Sequence, residues 1–251
     1  MNLLDQFILF VISLVANTFS ALSGGGAGLI QFPILIFLGL PFGVALATHK
    51  VASVALGVGA ALRYFSIRKL EYQFVLLMLL CGIPGVVLGA SVILLVADRM
   101  AEIALGLLTG GLALYSMFKA ELGQHYQAFH RDRSGFIIGG VVLFLLGVLN
   151  GSLTSGTGLF VTIWLILWFG MDYQRAVAYT LTMVGLFWNG SGAVTLGLLG
   201  DIHWQWLPAL LLGSLIGGYL GSQMAISYGN KWIKRAFESV TLLISIKLLL
   251  G

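Results

Sequence analysis

Charge is what this sequence has least of. Only 9% of its 251 residues are Asp, Glu, Lys or Arg, against about a quarter in a soluble domain. The mean hydropathy is +1.02 and 59% of the residues are hydrophobic, so the chain cannot cover itself with groups that water hydrates. An ordinary soluble domain is excluded. A single cysteine, Cys81, excludes an intrachain disulfide. That cysteine and four scattered histidines offer no zinc-ligand spacing, and no Gly-Lys-Ser/Thr closes the glycine run as a nucleotide loop requires. No metal, ATP or other cofactor is expected. The formal charge of +4 is small and sits mostly in loops, which speaks for membrane topology and against nucleic acid. The first turns hold Asp5 and no Lys or Arg, so a cleaved signal peptide is not expected.

What is present is apolar length. Runs cover 3–22, 29–47, 51–62, 73–97, 101–118, 135–149, 158–171, 176–200, 206–227 and 236–250. A bilayer core takes about 20 helical residues to cross, and several runs suffice. Barrel strands would alternate apolar and polar positions; these runs do not. The expected class is an all-α integral membrane protein whose surrounding partner is the lipid bilayer.

The chain echoes itself. "GAGL" at 26–29 lies over "GTGL" at 156–159, and Gly39, Ala45 and Ala47 over Gly170, Ala176 and Ala178. "LEYQFVLLMLLCGIPGVVLGA" (70–90) lies over "IHWQWLPALLLGSLIGGYLGS" (202–222), with Gly85 on Gly217 and Gly89 on Gly221. Residues 1–118 and 135–251 therefore read as two repeats joined by a basic linker, 119–134.

Their charges oppose. Arg63, Arg68 and Lys69 follow the 44–65 run, whereas the matching loop holds Asp201; Lys231, Lys234 and Arg235 fall where the first repeat has Arg99 between Asp98 and Glu102. Lys and Arg gather on the cytoplasmic side. The expectation is two inverted-topology repeats with a cytoplasmic linker and both termini outside the cytoplasm. Each repeat is expected to hold a broken or re-entrant helix pair (7–22 with 29–40, 135–150 with 158–170) followed by three spanning helices. The linker itself reads as a solvated connection.

Irregular backbone within a membrane is tolerated only where protein or a watery cavity surrounds it. Ser23, Gly24, Gly25 and Gly26 supply such backbone once; Asn150, Ser152, Thr154, Ser155, Gly156 and Thr157 supply it again. Each break precedes a short helix whose first N–H groups lack partners and favour anions. His49 and Lys50 are ionisable groups inside an apolar run, a costly placement that marks a cavity or a partner. Gln31 is a further cavity candidate. Arg175 beside Asp172 reads as an interfacial ion pair, and Trp204 and Trp206 as interface anchors.

"SGGGAGLIQFPILIFLGLPFGVALATHK", with its echo "SLTSGTGLFVTIWLILWFGMDYQRAVAYT", resembles the sulfite exporter TauE/SafE family of membrane permeases. The resemblance rests on the glycine break Gly24–Gly28, Pro33, Gly39 and Ala45–Thr48; the echo has Trp164 where a proline would be expected. It implies export of small sulfur-containing anions such as sulfite, sulfoacetate or other organosulfonates across the bacterial inner membrane. It carries the glycine break, Thr48, His49 and Lys50 over as site residues. The rivals are an anion channel and an intramembrane serine hydrolase built on Ser155; "LTSG" lacks the glycine two places before the serine that such proteases favour. A homo-oligomer is compatible with all of these.

Overall fold

The computed structural model describes residues 3–25, 27–66, 70–93, 113–118, 121–154 and 156–250, with 103, 107, 110 and 111 besides. Every described regular element is a helix. The first half runs α1 (Leu3–Ser23), short α2 (Ala27–Phe37), α3 (Phe42–Tyr64), α4 (Tyr72–Val92) and α5 (113–118). The second runs α6 (Arg133–Ser152), short α7 (Thr157–Phe169), α8 (Tyr173–Leu199), α9 (Leu207–Tyr228) and α10 (Asn230–Leu250). A single 3₁₀ turn, Trp204–Trp206, leads into α9.

Among the described residues six helices are long and apolar enough to cross a membrane: α1, α3, α4, α6, α8 and α9 with its leading turn. The all-α membrane class therefore holds, and the detail shifts. The first member of each expected pair is a full-length helix, 21 residues in α1 and 20 in α6, or about 30 Å at 1.5 Å per residue. α1 starts at Leu3, ahead of the expected 7, and α6 at Arg133, ahead of the expected 135. Only α2 and α7 are short, at 11 and 13 residues. The 101–118 helix lies mostly outside the described residues, as do Arg68, Lys69, Asp98, Arg99 and Glu102. α10 is helical for 21 residues but carries Lys231, Lys234, Arg235, Glu238 and Lys247, which keeps it out of the six.

α2 doubles back along α1. Gln31, in the second turn of α2, bonds Ser13 at 2.9 Å, and Ser13 lies about 15 Å before the end of α1. The halves then interlock through glycine. On α9, a Cβ at Gly217 or Gly221 would come within 2.7 Å of Leu14 O or 2.2 Å of Thr18 O on α1. On α4, one at Gly85 or Gly89 would come within 2.2 Å of Phe144 O or 2.0 Å of Val148 O on α6. Small residues let membrane helices approach this closely. The same contact occurs twice, at positions the repeat equates, and each half lends a helix to the other.

The described linker residues are mostly exposed, as in a solvated connection, and are also tied to the helices. Gln127 N and Phe129 N donate to Gly170 O and Phe169 O, and Tyr173 N donates to Gly123 O. Tyr126 takes the guanidinium of Arg175 3.8 Å over its ring, while Arg131 pairs with Glu71 at 2.7 Å and lies 4.5 Å over the Phe74 ring. The linker's polar side chains stay mostly exposed, as its composition suggested, while backbone pairing to the α7–α8 turn fixes its path. Gly170 admits this strap, since a Cβ there would fall 1.6 Å from Gln127 O.

Close glycine packing gives a first prediction. Gly221→Val and Gly89→Val each lower the melting temperature in detergent by roughly 4–10 °C, because overpacking costs about 1–3 kcal/mol. Gly43→Ala, whose Cβ would meet nothing within 4 Å, leaves it unchanged. Thermal unfolding followed by tryptophan fluorescence decides, and an unaltered Gly221→Val protein would contradict the packing.

Candidate functional site

The two breaks form where helix geometry stops. Gly24 and Gly25 take φ of +90° and +124°, a region that L side chains rarely adopt, between the ends of α1 and α2. In the second break Thr154 and Gly156 take φ of +57° and +73°, and Gly156 caps α7. The breaks touch: a Cβ on Gly25 would lie 2.8 Å from Gly158 Cα. Thr162 Oγ1 on α7 also donates to Gly24 O at 2.7 Å. Gly26 and Ser155 lie outside the described residues.

A cavity of about 40 Å³ opens at this junction. The first half lines it with Ser20 from α1, Gly25 and Gly28 around the break, and His49 and Ser53 from α3. The second half supplies Asn150, Thr154, Thr157 and Gly158, with Thr180 and Asn189 from α8. α8 departs from α-helical hydrogen bonding there: Thr180–Trp188 is wound as a π-helix, a form that recurs at functional sites.

Lys50 stands behind the lining and is fully buried. Its Nζ donates to Asn150 O at 2.8 Å, to Asn150 Oδ1 at 3.2 Å and to Asn189 Oδ1 at 3.3 Å. Three acceptors match the three donors of an ammonium, and none is a carboxylate. Asn150 Nδ2 in turn donates to Thr157 Oγ1 at 2.9 Å, and Thr157 Oγ1 to Thr154 O at 3.0 Å. The cation thus holds the second break in shape.

His49 faces the other way. Ser13 Oγ donates to Leu210 O at 2.7 Å and accepts from Gln31 Nε2 at 2.9 Å, which orients the Gln31 amide. Gln31 Oε1 therefore accepts from His49 Nδ1 at 2.8 Å, and Ser53 Oγ donates to His49 Nε2 at 3.1 Å. Thr162 and Thr180 make the matching contact in the second half at 2.9 Å. Both pairs are 18 residues apart, and both tie a short helix to the long one that follows.

Of the residues expected at the site, Gly25, His49, Asn150, Thr154 and Thr157 line the cavity. Gln31 and Lys50 brace it from behind, and Gly24 and Gly156 shape the breaks. Ser23 stays at the first break, donating to Phe19 O at 2.9 Å and lying 3.3 Å from Gly25 O. Two are placed elsewhere. Thr48 Oγ1 accepts from His203 N at 2.9 Å in the loop before α9. Ser152 bonds back to Val148 O at 2.9 Å, as serines in helices commonly do. Ser53 and Thr180 were missed, and the 18-residue spacing was the signal that could have found Thr180. The Asp172–Arg175 ion pair forms at 3.3 Å, with Asp172 also capping α8 through Arg175 N at 2.8 Å.

Residues 9–248 match the family described as Sulfite exporter TauE/SafE. The chain belongs to that family. Among similar TauE/SafE-length proteins is a probable membrane transporter protein of Haemophilus influenzae, 26% identical over 96% of this chain and 93% of its own. Probable membrane transporter protein ORF9 of Sinorhizobium sp is 28% identical over 96% and 91%, and YunE of Bacillus subtilis, also named a probable membrane transporter protein, 24% over 96% and 96%. No solved structure matches. This TauE/SafE chain is a multi-pass membrane transporter, not an enzyme, and the serine-hydrolase reading lapses.

The Lys50 cradle yields a second prediction. Asn150→Ala costs about 1.5–3 kcal/mol, the range for a hydrogen bond to a charged group. The loss shrinks by at least about 0.5 kcal/mol in a Lys50→Met background, because the two residues are coupled. Equal losses in both backgrounds, measured by thermal unfolding, would contradict the cradle.

Proposed function

We propose that this chain is a secondary transporter that exports small sulfur-containing anions, such as sulfite, sulfoacetate or other organosulfonates, by alternating access at the paired breaks. The observation that carries the reading is Lys50: a fully buried lysine whose partners among the described residues are neutral oxygens, beside a cavity where both breaks meet. Its field is left for a ligand to neutralise, and the hydroxyls and amides around the cavity suit an oxyanion. The name of the family supports the sulfur chemistry.

The reading includes two inverted repeats, with the basic end bearing Arg63, Arg131, Arg133 and Lys231 in the cytoplasm of a bacterium and both termini outside its inner membrane. Interlocked helices at repeat-related positions support it, as does the excess of Lys and Arg at that end. A potential of 100 mV, negative inside, is worth about 2.3 kcal/mol per elementary charge. A cytoplasmic anion is driven outward without a coupled ion.

The test is uptake and efflux in proteoliposomes with sulfite, thiosulfate, sulfoacetate, taurine and a carboxylate control. Saturable flux selective for sulfur anions, faster with the potential set to expel them and lost in folded Lys50→Ala, is the expected result. Absence of flux for every sulfur anion in folded wild-type protein would sink the substrate assignment. Unsaturable flux would sink alternating access.

A further inference from the structure

The two seams that lead away from the cavity are filled differently. One lies between α1, α2 and α9. Along α1, Ser20, Asn17 and Ser13 follow one another at helical spacing from the cavity toward the α1 N-terminus. Asn17 Nδ2 donates to Ser214 Oγ at 3.0 Å, Ser13 Oγ lies 3.0 Å from the same hydroxyl, and Gln31 connects this group to His49. Asn17 Oδ1 is buried and has no hydrogen-bond partner among the described residues, a group that a hydrated path would satisfy.

The matching seam lies between α4, α6 and α8. The repeat sets Leu143 in place of Ser13, Gly147 in place of Asn17 and Gly82 in place of Ser214. Gly147 packs on Gly82 O, and the Trp188 ring fills the space where a Gly82 Cβ would stand. Trp188 Nε1 donates to Met78 O at 2.8 Å, so that side is both dry and satisfied. Glue between helices would be expected on both seams alike; the polar chain is on one.

Beyond Ser13 the polar seam meets an apolar cluster that includes Leu9, Leu35 and Leu210, all nearly inaccessible. Past it, at the end of the molecule, Gln6 Nε2 bonds Gln205 O at 2.7 Å and is exposed. Leu35 belongs to α2, the short helix that folds back from the break. A shift of α2 separates Leu35 from Leu9 and Leu210 and joins the cavity to that end.

We infer that the cavity opens toward the α1 N-terminal end along the Ser20–Asn17–Ser13 seam, with Leu9, Leu35 and Leu210 as its gate. The inference rests on the cavity being the transport site and adds its route. The opposite seam, shut by Leu143 and Trp188, is the packed side.

Cysteine labelling tests it, in a Cys81→Ala background that removes the chain's single cysteine. Leu4→Cys on the exposed start of α1 and Tyr126→Cys in the linker mark the two sides of sealed vesicles. A membrane-impermeant maleimide is expected to modify Ser13→Cys and Asn17→Cys, on the seam itself, only from the side that modifies Leu4→Cys; Ser20→Cys, in the cavity that alternating access exposes to each side in turn, is not restricted to one side. Adding Leu9→Ala speeds the reaction at Ser13→Cys at least roughly tenfold, since truncating a packed leucine destabilises the closed state. Leu143→Cys stays unmodified from either side.

Labelling of Ser13→Cys or Asn17→Cys from the Tyr126→Cys side, equal reactivity of Leu143→Cys, or inert Ser13→Cys and Asn17→Cys even with Leu9→Ala, overturns the route. If Ser13→Cys fails to fold, Asn17→Cys decides between these outcomes. No substrate is needed: failed sulfur-anion flux with one-sided labelling removes the substrate assignment and leaves the route. Intact flux without labelling does the reverse.

Discussion

Where the two halves meet, Gly25 and Gly158 press so closely that a Cβ on Gly25 would lie 2.8 Å from the Gly158 backbone. An interrupted helix exposes N–H and C=O groups that lipid cannot satisfy, so each break persists because the other half covers it. Thr162 bonding Gly24 O and Lys50 bonding Asn150 O are instances of that cover, one from each half. The interlocked packing of α9 on α1 and of α4 on α6 brings the breaks together. The cavity is the space left when two short helices start from one point.

The sequence echo pairs positions and does not equate chemistry. Gln31 with His49 and Thr162 with Thr180, each 18 residues apart, each tie a short helix to the long one after it. One pair connects onward to Ser13, Asn17 and Ser214; the other contacts Gly24 O and stops. Near-equal halves allow a pseudo-symmetric exchange of conformations, yet unequal fillings give the two ends different energies of hydration. Ser214 on α9 and Gly82 on α4 show how little sequence this needs: a hydroxymethyl group on one side makes room for a polar chain, and its removal on the other admits an indole.

Much of this was legible in the sequence, and the limits have physical causes. Continuous apolar runs announce helices because lipid leaves the backbone no other open form. The breaks announce themselves because glycine clusters are costly in helix interiors. Lys50 was visible as a charge in an apolar run. The seam was not, since Ser13, Asn17 and Ser214 are each unremarkable in a membrane helix and become a chain only across α1 and α9. Thr48 and Ser152 were misplaced for a related reason. A hydroxyl can bond back along its own helix or reach a neighbouring loop, and sequence does not say which. The linker's exposed side chains suit water as its composition suggested, and the pairing of its backbone with the α7–α8 turn left no side-chain signal.

The two buried lysines differ in a way that bears on function. Lys234 Nζ lies 2.5 Å from Glu238 Oε1, with Ser116 O as a further acceptor at 2.7 Å, so its charge is cancelled where it stands. Lys50 is fully buried and, among the described residues, bonds amide oxygens. Neutral acceptors satisfy the donors of an ammonium without removing its charge, and burying an unpaired charge is among the most costly things a protein does. In the proposed reading, an anion in the cavity supplies Lys50 with what Glu238 supplies to Lys234. Asn150 both bonds Lys50 and lines the cavity, so the buried lysine and the proposed ligand site share a residue.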